Sequence, residues 1–110
     1  MEKMSLTALA RAQSELARTA TAGRSARTVY GGHEHVLRQT MIALAAGQNL
    51  DEHENPGEAT IYVLQGRVRL RSGDSSWEGM TGDLLIMPSA RHSLEALETA
   101  VVLLTVAKLH

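Results

Sequence analysis

Gly47-Gln48-Asn49-Leu50-Asp51-Glu52-His53-Glu54-Asn55-Pro56-Gly57-Glu58, continued by Ile61-Tyr62-Val63-Leu64-Gln65-Gly66, is the first of two stretches that decide the fold. The second is Gly82-Asp83-Leu84-Leu85-Ile86-Met87-Pro88-Ser89-Ala90-Arg91-His92. Each sets one histidine, His53 or His92, beside an apolar run bounded by glycine or proline. Gly and Pro break regular structure at such boundaries, so each run reads as a short strand entered from a turn.

Working outward, the chain from Thr28 onward reads as β-structure. Val36–Ala45 is a long strand. Asn55-Pro56-Gly57 is a turn. Ala59–Gln65 and Arg67–Arg71 flank Gly66 as a hairpin, and Ser72–Ser75 is a further turn. Short strands follow around Trp77, Leu84–Met87, Arg91–Leu97 and Ala100–Val106. Strands at this spacing argue for a β-sandwich or barrel.

Period-two alternation assigns faces. Val68 and Leu70 point inward between Arg67, Arg69 and Arg71, which form a solvated face. His92, Leu94 and Ala96 share an inward face, which puts His92 near one mouth of the barrel. Ala59, Ile61 and Val63 also point inward, and Glu58 falls on the opposite side with Tyr62. Ala100–Val106 and Leu84–Met87 are apolar on both faces, so both faces need cover. A second subunit or an N-terminal helix can supply it, and a homodimer is the expectation.

Residues 1–27 differ from the rest and read as a helix with a linker, ahead of one domain over 28–110. Leu6, Leu9, Ala10, Gln13, Leu16, Ala17 and Ala20 recur at three- and four-residue spacing, the pattern of an amphipathic helix. Ser5 suits the N-cap and Gly23 the C-terminal stop.

Composition narrows the function. The 110 residues include no Cys and no Phe, with one Trp and two Tyr, so the core is aliphatic and thiol chemistry is excluded. Eleven basic residues face twelve acidic ones. That balance argues against nucleic acid, which needs concentrated positive charge. No apolar run approaches a membrane span and Met1–Ser5 lacks a secretion-signal core, so a cytoplasmic protein with no membrane partner is expected.

Together the two stretches resemble the signature motifs of the cupin superfamily. The resemblance implies an all-β, jelly-roll-like cupin β-barrel with one N-terminal α-helix. Metal-binding cupins carry Gly-x5-His-x-His-x3–4-Glu-x6-Gly and Gly-x5-Pro-x-Gly-x2-His, which supply three histidines and one glutamate. Gly47 and His53 match the first motif, and Asn55 stands at its second histidine. Counting back from Gly66, the glutamate position falls on Ala59. Gly82 and Pro88 match the second motif, and His92 is its final histidine with one residue fewer after the proline.

His53 and His92 are therefore the candidate metal ligands, with His35 or Asn55 as a candidate third donor and Glu52 or Glu54 as carboxylates that could swing in. A divalent transition metal (Zn, Fe, Mn, Ni or Cu) needs three or four converging donors. Three functions are then open: a metal-dependent enzyme of dioxygenase or isomerase type, a small-molecule pocket lined by His53, Asn55 and His92, or a metal-free scaffold. The pocket is the favoured reading, because a few polar groups over an aliphatic lining suit a small ligand.

Overall fold

The computed structural model describes residues 1–53, 57–87 and 90–108, with the backbone alone described for Glu52 and His53. Asn55, Glu54 and Pro88 lie outside the described residues. One helix and nine strands are formed by the described residues: α1 (Leu6–Thr19), β1 (Arg24–Tyr30), β2 (Leu37–Leu44), β3 (Asn49–His53), β4 (Gly57–Gln65), β5 (Arg67–Ser72), β6 (Ser75–Met80), β7 (Leu84–Ile86), β8 (His92–Ala96) and β9 (Ala100–Lys108).

Two antiparallel sheets face each other. One has the order β1-β2-β9-β4-β7 and the other β3-β8-β5-β6. This is the all-β, jelly-roll-like arrangement that the motifs imply, with its N-terminal helix. Among the described residues the sheets remain two separate ladders. Between them lies an aliphatic core of Leu44, Ile61, Val63, Val68, Leu70, Leu94, Val102 and Val106, with Ala59, Ala96 and Ala100 where the sheets approach. The alternation read from sequence holds: Val68, Leu70, Leu94, Ala96, Ile61 and Val63 are buried, while Glu58 and Tyr62 are exposed.

β4 and β5 do not form the hairpin expected around Gly66. β4 pairs with β9 and β7, whereas β5 pairs with β6 and β8. A single residue cannot reverse the chain into a paired neighbour, so Gly66 turns it from one sheet to the other. Its φ of +82° is left-handed, and a Cβ there would run into the Thr99 carbonyl oxygen. Only glycine suits both conditions. The true hairpin is β5–β6, where Ser72 pairs with Ser75 across Gly73-Asp74, the two-residue loop that a leading glycine favours.

The helix begins at the expected N-cap, where Ser5 Oγ accepts from the Ala8 amide at 3.1 Å. Its buried stripe is Ala10, Gln13, Ser14 and Ala17. Leu16, expected on that stripe, is 54% exposed, because Ser14 turns inward instead. The helix packs on the outer side of the five-stranded sheet, against Met41, Ala43 and Val101. Ser25 Oγ pins it by donating to the Gln13 carbonyl at 2.9 Å and to Gln13 Oε1 at 2.8 Å. Strand β1 starts at Arg24, inside the segment read as linker.

The outer face of the four-stranded sheet is an ion-pair ladder. Arg67 and Arg69 reach Glu78 at 2.6 and 3.2 Å, and Arg69 and Arg71 reach Glu95 at 3.6 and 3.7 Å. The three arginines thus form the solvated face expected of them. The Arg67 guanidinium, with Arg69 beside it, holds the Glu78 carboxyl below the usual carboxylate range. No helix among the described residues is long and apolar enough to cross a membrane.

Candidate functional site

Strand direction gives the sandwich two ends. β4 and β8 run away from the end formed by Gly57, Met87 and His92, and β9 returns to it at Lys108. Gly66 and Thr99 lie at the opposite end. The histidine-bearing end is the mouth that the sequence places at the start of β8.

His92 is 1% exposed, and among the described residues it is the histidine buried in the interior. Inward alternation of His92, Leu94 and Ala96 along β8 puts it there. Its Nδ1 lies 3.0 Å from the Ala90 carbonyl oxygen. A carbonyl only accepts, so Nδ1 carries the proton. In the neutral ring the lone pair is then at Nε2. The loop before His92 is tied down as well: Ser72 Oγ, at the end of β5, donates to the Arg91 carbonyl at 3.0 Å. Sequence reasoning missed both supports. A backbone carbonyl has no residue signature, and Ser72 reads only as a turn residue.

His53 lies directly opposite His92 in the β3–β8 ladder. The pairing exists because the register slips: Leu50 faces Leu94, yet three residues on in β3 meet two residues on in β8. This is a β-bulge, a device that re-aims a strand beside functional sites. Without the extra residue, Glu52 would sit opposite His92. Sequence reading treated this segment as an acidic loop and did not identify β3.

Ala59, at the position where the resemblance puts a glutamate, is 7% exposed and inward. It pairs with Val106, and its carbonyl accepts from the Met87 amide at 3.1 Å. Glu58 is on the outer face. His33 and His35 are not on a strand. They lie exposed in the turn before β2, and the His35 ring meets Tyr30 edge-on at 5.5 Å. Among the described residues no three His, Asp or Glu side chains converge as a metal would need. Among the described residues this end presents one imidazole, His92, and an alanine where the motif has a carboxylate, whereas a transition metal takes three or four donors.

Fold and site together define a small two-sheet jelly roll with a buried histidine at one end. Residues 40–107 match the cupin domain family, and the chain belongs to that family. It is similar to a conserved protein of unknown function from Streptococcus pyogenes, at 26% identity and a TM-score of 0.73, over 83% of this chain and 79% of that one. It is also similar to an RmlC-like cupin from Desulfovibrio desulfuricans, at 27% identity and a TM-score of 0.67, over 76% and 81%. A cupin 2 conserved barrel domain protein from Leptotrichia buccalis shares the fold at 22% identity and a TM-score of 0.74, over 86% of this chain and 46% of that one. No curated protein matches.

Proposed function

We propose that this cupin binds a small organic molecule at the mouth, with His92 as the principal polar group. One observation carries the reading: a histidine 1% exposed at one end of an aliphatic interior, its tautomer fixed by a backbone carbonyl. Burying an imidazole among Leu and Val costs free energy that a scaffold alone does not require. A fixed tautomer presents Nε2 as an acceptor in the neutral ring and as a donor in the protonated one. The ligand class that suits it has an apolar body and one hydrogen-bonding head. His53 and Asn55, which the motif sets beside that end, are proposed as its further polar groups.

A thermal-shift screen of small carboxylic acids, alcohols and heterocycles tests this on wild type, His53→Ala and His92→Ala. The expected result is a compound that raises the wild-type melting temperature and does nothing for either variant, while both variants melt as wild type does without it. Variants that no longer fold would reduce both histidines to a structural role. Elemental analysis of protein purified without a histidine tag runs alongside. Near one metal per chain, lost in His92→Ala, would replace the pocket with a metal centre.

A further inference from the structure

We infer that the outer edge of β6 binds an extended basic peptide as an added strand. Among the described residues β1, β7, β3 and β6 are the edge strands of the two sheets, and an unpaired edge is a template for another chain. Three of the four are blunted. β7 has only three residues. β1 carries Arg24 and Arg27 and a bulge between Thr28 and Tyr30. β3 carries Asp51 and its own bulge between Leu50 and His53. β6 has none of these devices. It runs six residues, Ser75–Met80, in unbroken register with β5, and holds neither proline nor lysine. Its one charge, Glu78, is turned to the arginines of β5.

Backbone geometry says which groups the edge offers. In an antiparallel ladder alternate residues turn both N–H and C=O to the partner, and those between turn both away. The two-residue loop Gly73-Asp74 closes on the Ser72–Ser75 pair, so Ser75, Trp77 and Gly79 bond to β5. Ser76, Glu78 and Met80 then point outward. Met80 agrees with that phase: its amide donates to Asp83 Oδ2 and its carbonyl accepts from the Asp83 amide, both at 2.9 Å. Ser76 and Glu78 remain, and among the described residues nothing bonds their outward backbone groups.

Side chains set the pattern of the peptide. At Gly79 the seam between the sheets is closed, since Leu85 of β7 lies 3.1 Å from where a Cβ would be. At Trp77 it opens. Trp77 pairs with Leu70 and so faces inward, yet it is 50% exposed. The cleft beside it, of about 340 Å³, runs down to the buried Leu70 between Trp77 and the exposed Leu84 and Ile86 of β7. An apolar side chain of the added strand fits there. Residues 73–83 hold three acids, Asp74, Glu78 and Asp83, and no base. The peptide is therefore apolar at alternate positions and basic at its ends, since like charges opposed across strands repel. Strand addition divides its work in this way: backbone bonds give affinity, and pockets for alternate side chains give specificity.

The probe is a synthetic peptide, acetyl-Lys-Ile-Thr-Leu-Thr-Val-Lys-amide, titrated into the full chain. Trp77, the one tryptophan, should shift its emission to the blue and saturate below about 1 mM. Directly opposed residues share a face, so in antiparallel addition the threonine amides meet Ser76 and Glu78. N-methylating both threonines should weaken binding at least about tenfold. N-methylating the leucine and valine should leave it unchanged. Replacing both lysines by glutamates should weaken it by a similar factor at low salt. Hydrogen exchange locates the contact: without peptide the Ser76 and Glu78 amides exchange fast and those of Trp77 and Gly79 slowly, and peptide slows the first pair. These measurements leave the protein unaltered, so none depends on a variant that folds. No saturable shift, equal binding of the two N-methylated peptides, indifference to the charge swap, or unchanged exchange at Ser76 and Glu78 would each overturn the inference. So would protection of those amides that rises with protein concentration alone, for the occupant would then be a second copy.

Discussion

Replacing Gly66 by alanine tests the corner that separates the two sheets. Two costs add. The residue has φ +82°, where an alanine is strained by about 1–2 kcal/mol. The new Cβ would also overlap the Thr99 carbonyl oxygen and lie 2.9 Å from Ala100 Cα. Both contacts are backbone, so a chain and not a rotamer must move, which costs a further ~1–3 kcal/mol. Reduced freedom of the unfolded chain returns about 0.4–1 kcal/mol. The net expectation is a loss of about 2–4 kcal/mol. Gly47→Ala is the control, because Gly47 has φ +86° but nothing within 4 Å of its virtual Cβ. It pays the conformational strain alone, so a loss of about 1 kcal/mol is expected. Urea unfolding of the two variants measures the difference. Equal losses would refute the reasoning, for they would mean that the backbone at Thr99 and Ala100 does not pass against Gly66.

Ser25→Ala should cost about 1–3 kcal/mol by leaving Gln13 Oε1 buried without its donor, and chemical denaturation with Ser14→Ala as a comparison will show whether the loss is specific to that bond. The ion-pair ladder should be visible in pH dependence. Glu78 holds its proton less tightly folded than unfolded, so its stabilisation is present above the ordinary carboxylate value and is lost as pH falls through the lower folded one. The melting-temperature gap between wild type and Glu78→Gln should therefore be widest near neutrality and close below about pH 4; a gap that grows on acidification contradicts the ladder.

How legible was this molecule in its sequence? Strand faces were legible because alternation survives in one residue type per side: Val68 and Leu70 against three arginines leave no other reading. The mouth histidine was legible for the same reason. Gly66 was misread because a left-handed glycine between two strands looks alike in a hairpin and in a sheet-to-sheet corner, and only the partner strands β9 and β8 distinguish them. Strand β3 was missed because its polar run Asn49–His53 carries Leu50 as its one apolar residue. Its bulge, which brings His53 opposite His92, is a property of two paired backbones and leaves no mark on either segment alone. The cover of β9 and the bareness of β7 depend on where α1 lies, which amphipathicity predicts in kind but not in place.

Ala59 is where the family's chemistry and this chain part, and the structure makes that difference testable. Its side chain is inward, 7% exposed, at the end of the core that carries His92. Ala59→Glu puts a carboxylate into the core cluster that holds Val106 and Met87. Without a cation the group must be buried charged or neutralised, and a loss of about 2–3 kcal/mol in chelator is expected. If the mouth keeps the geometry of metal-binding cupins, added Zn²⁺ or Mn²⁺ binds the folded state alone and recovers about 2.7 kcal/mol at a hundred times its dissociation constant. His92→Ala in the same background should abolish that recovery. A melting temperature that rises with metal in Ala59→Glu and not in wild type would show that one side chain separates this chain from a metal site. No metal response would mean that this end does not assemble a cation site even with the carboxylate of the motif restored.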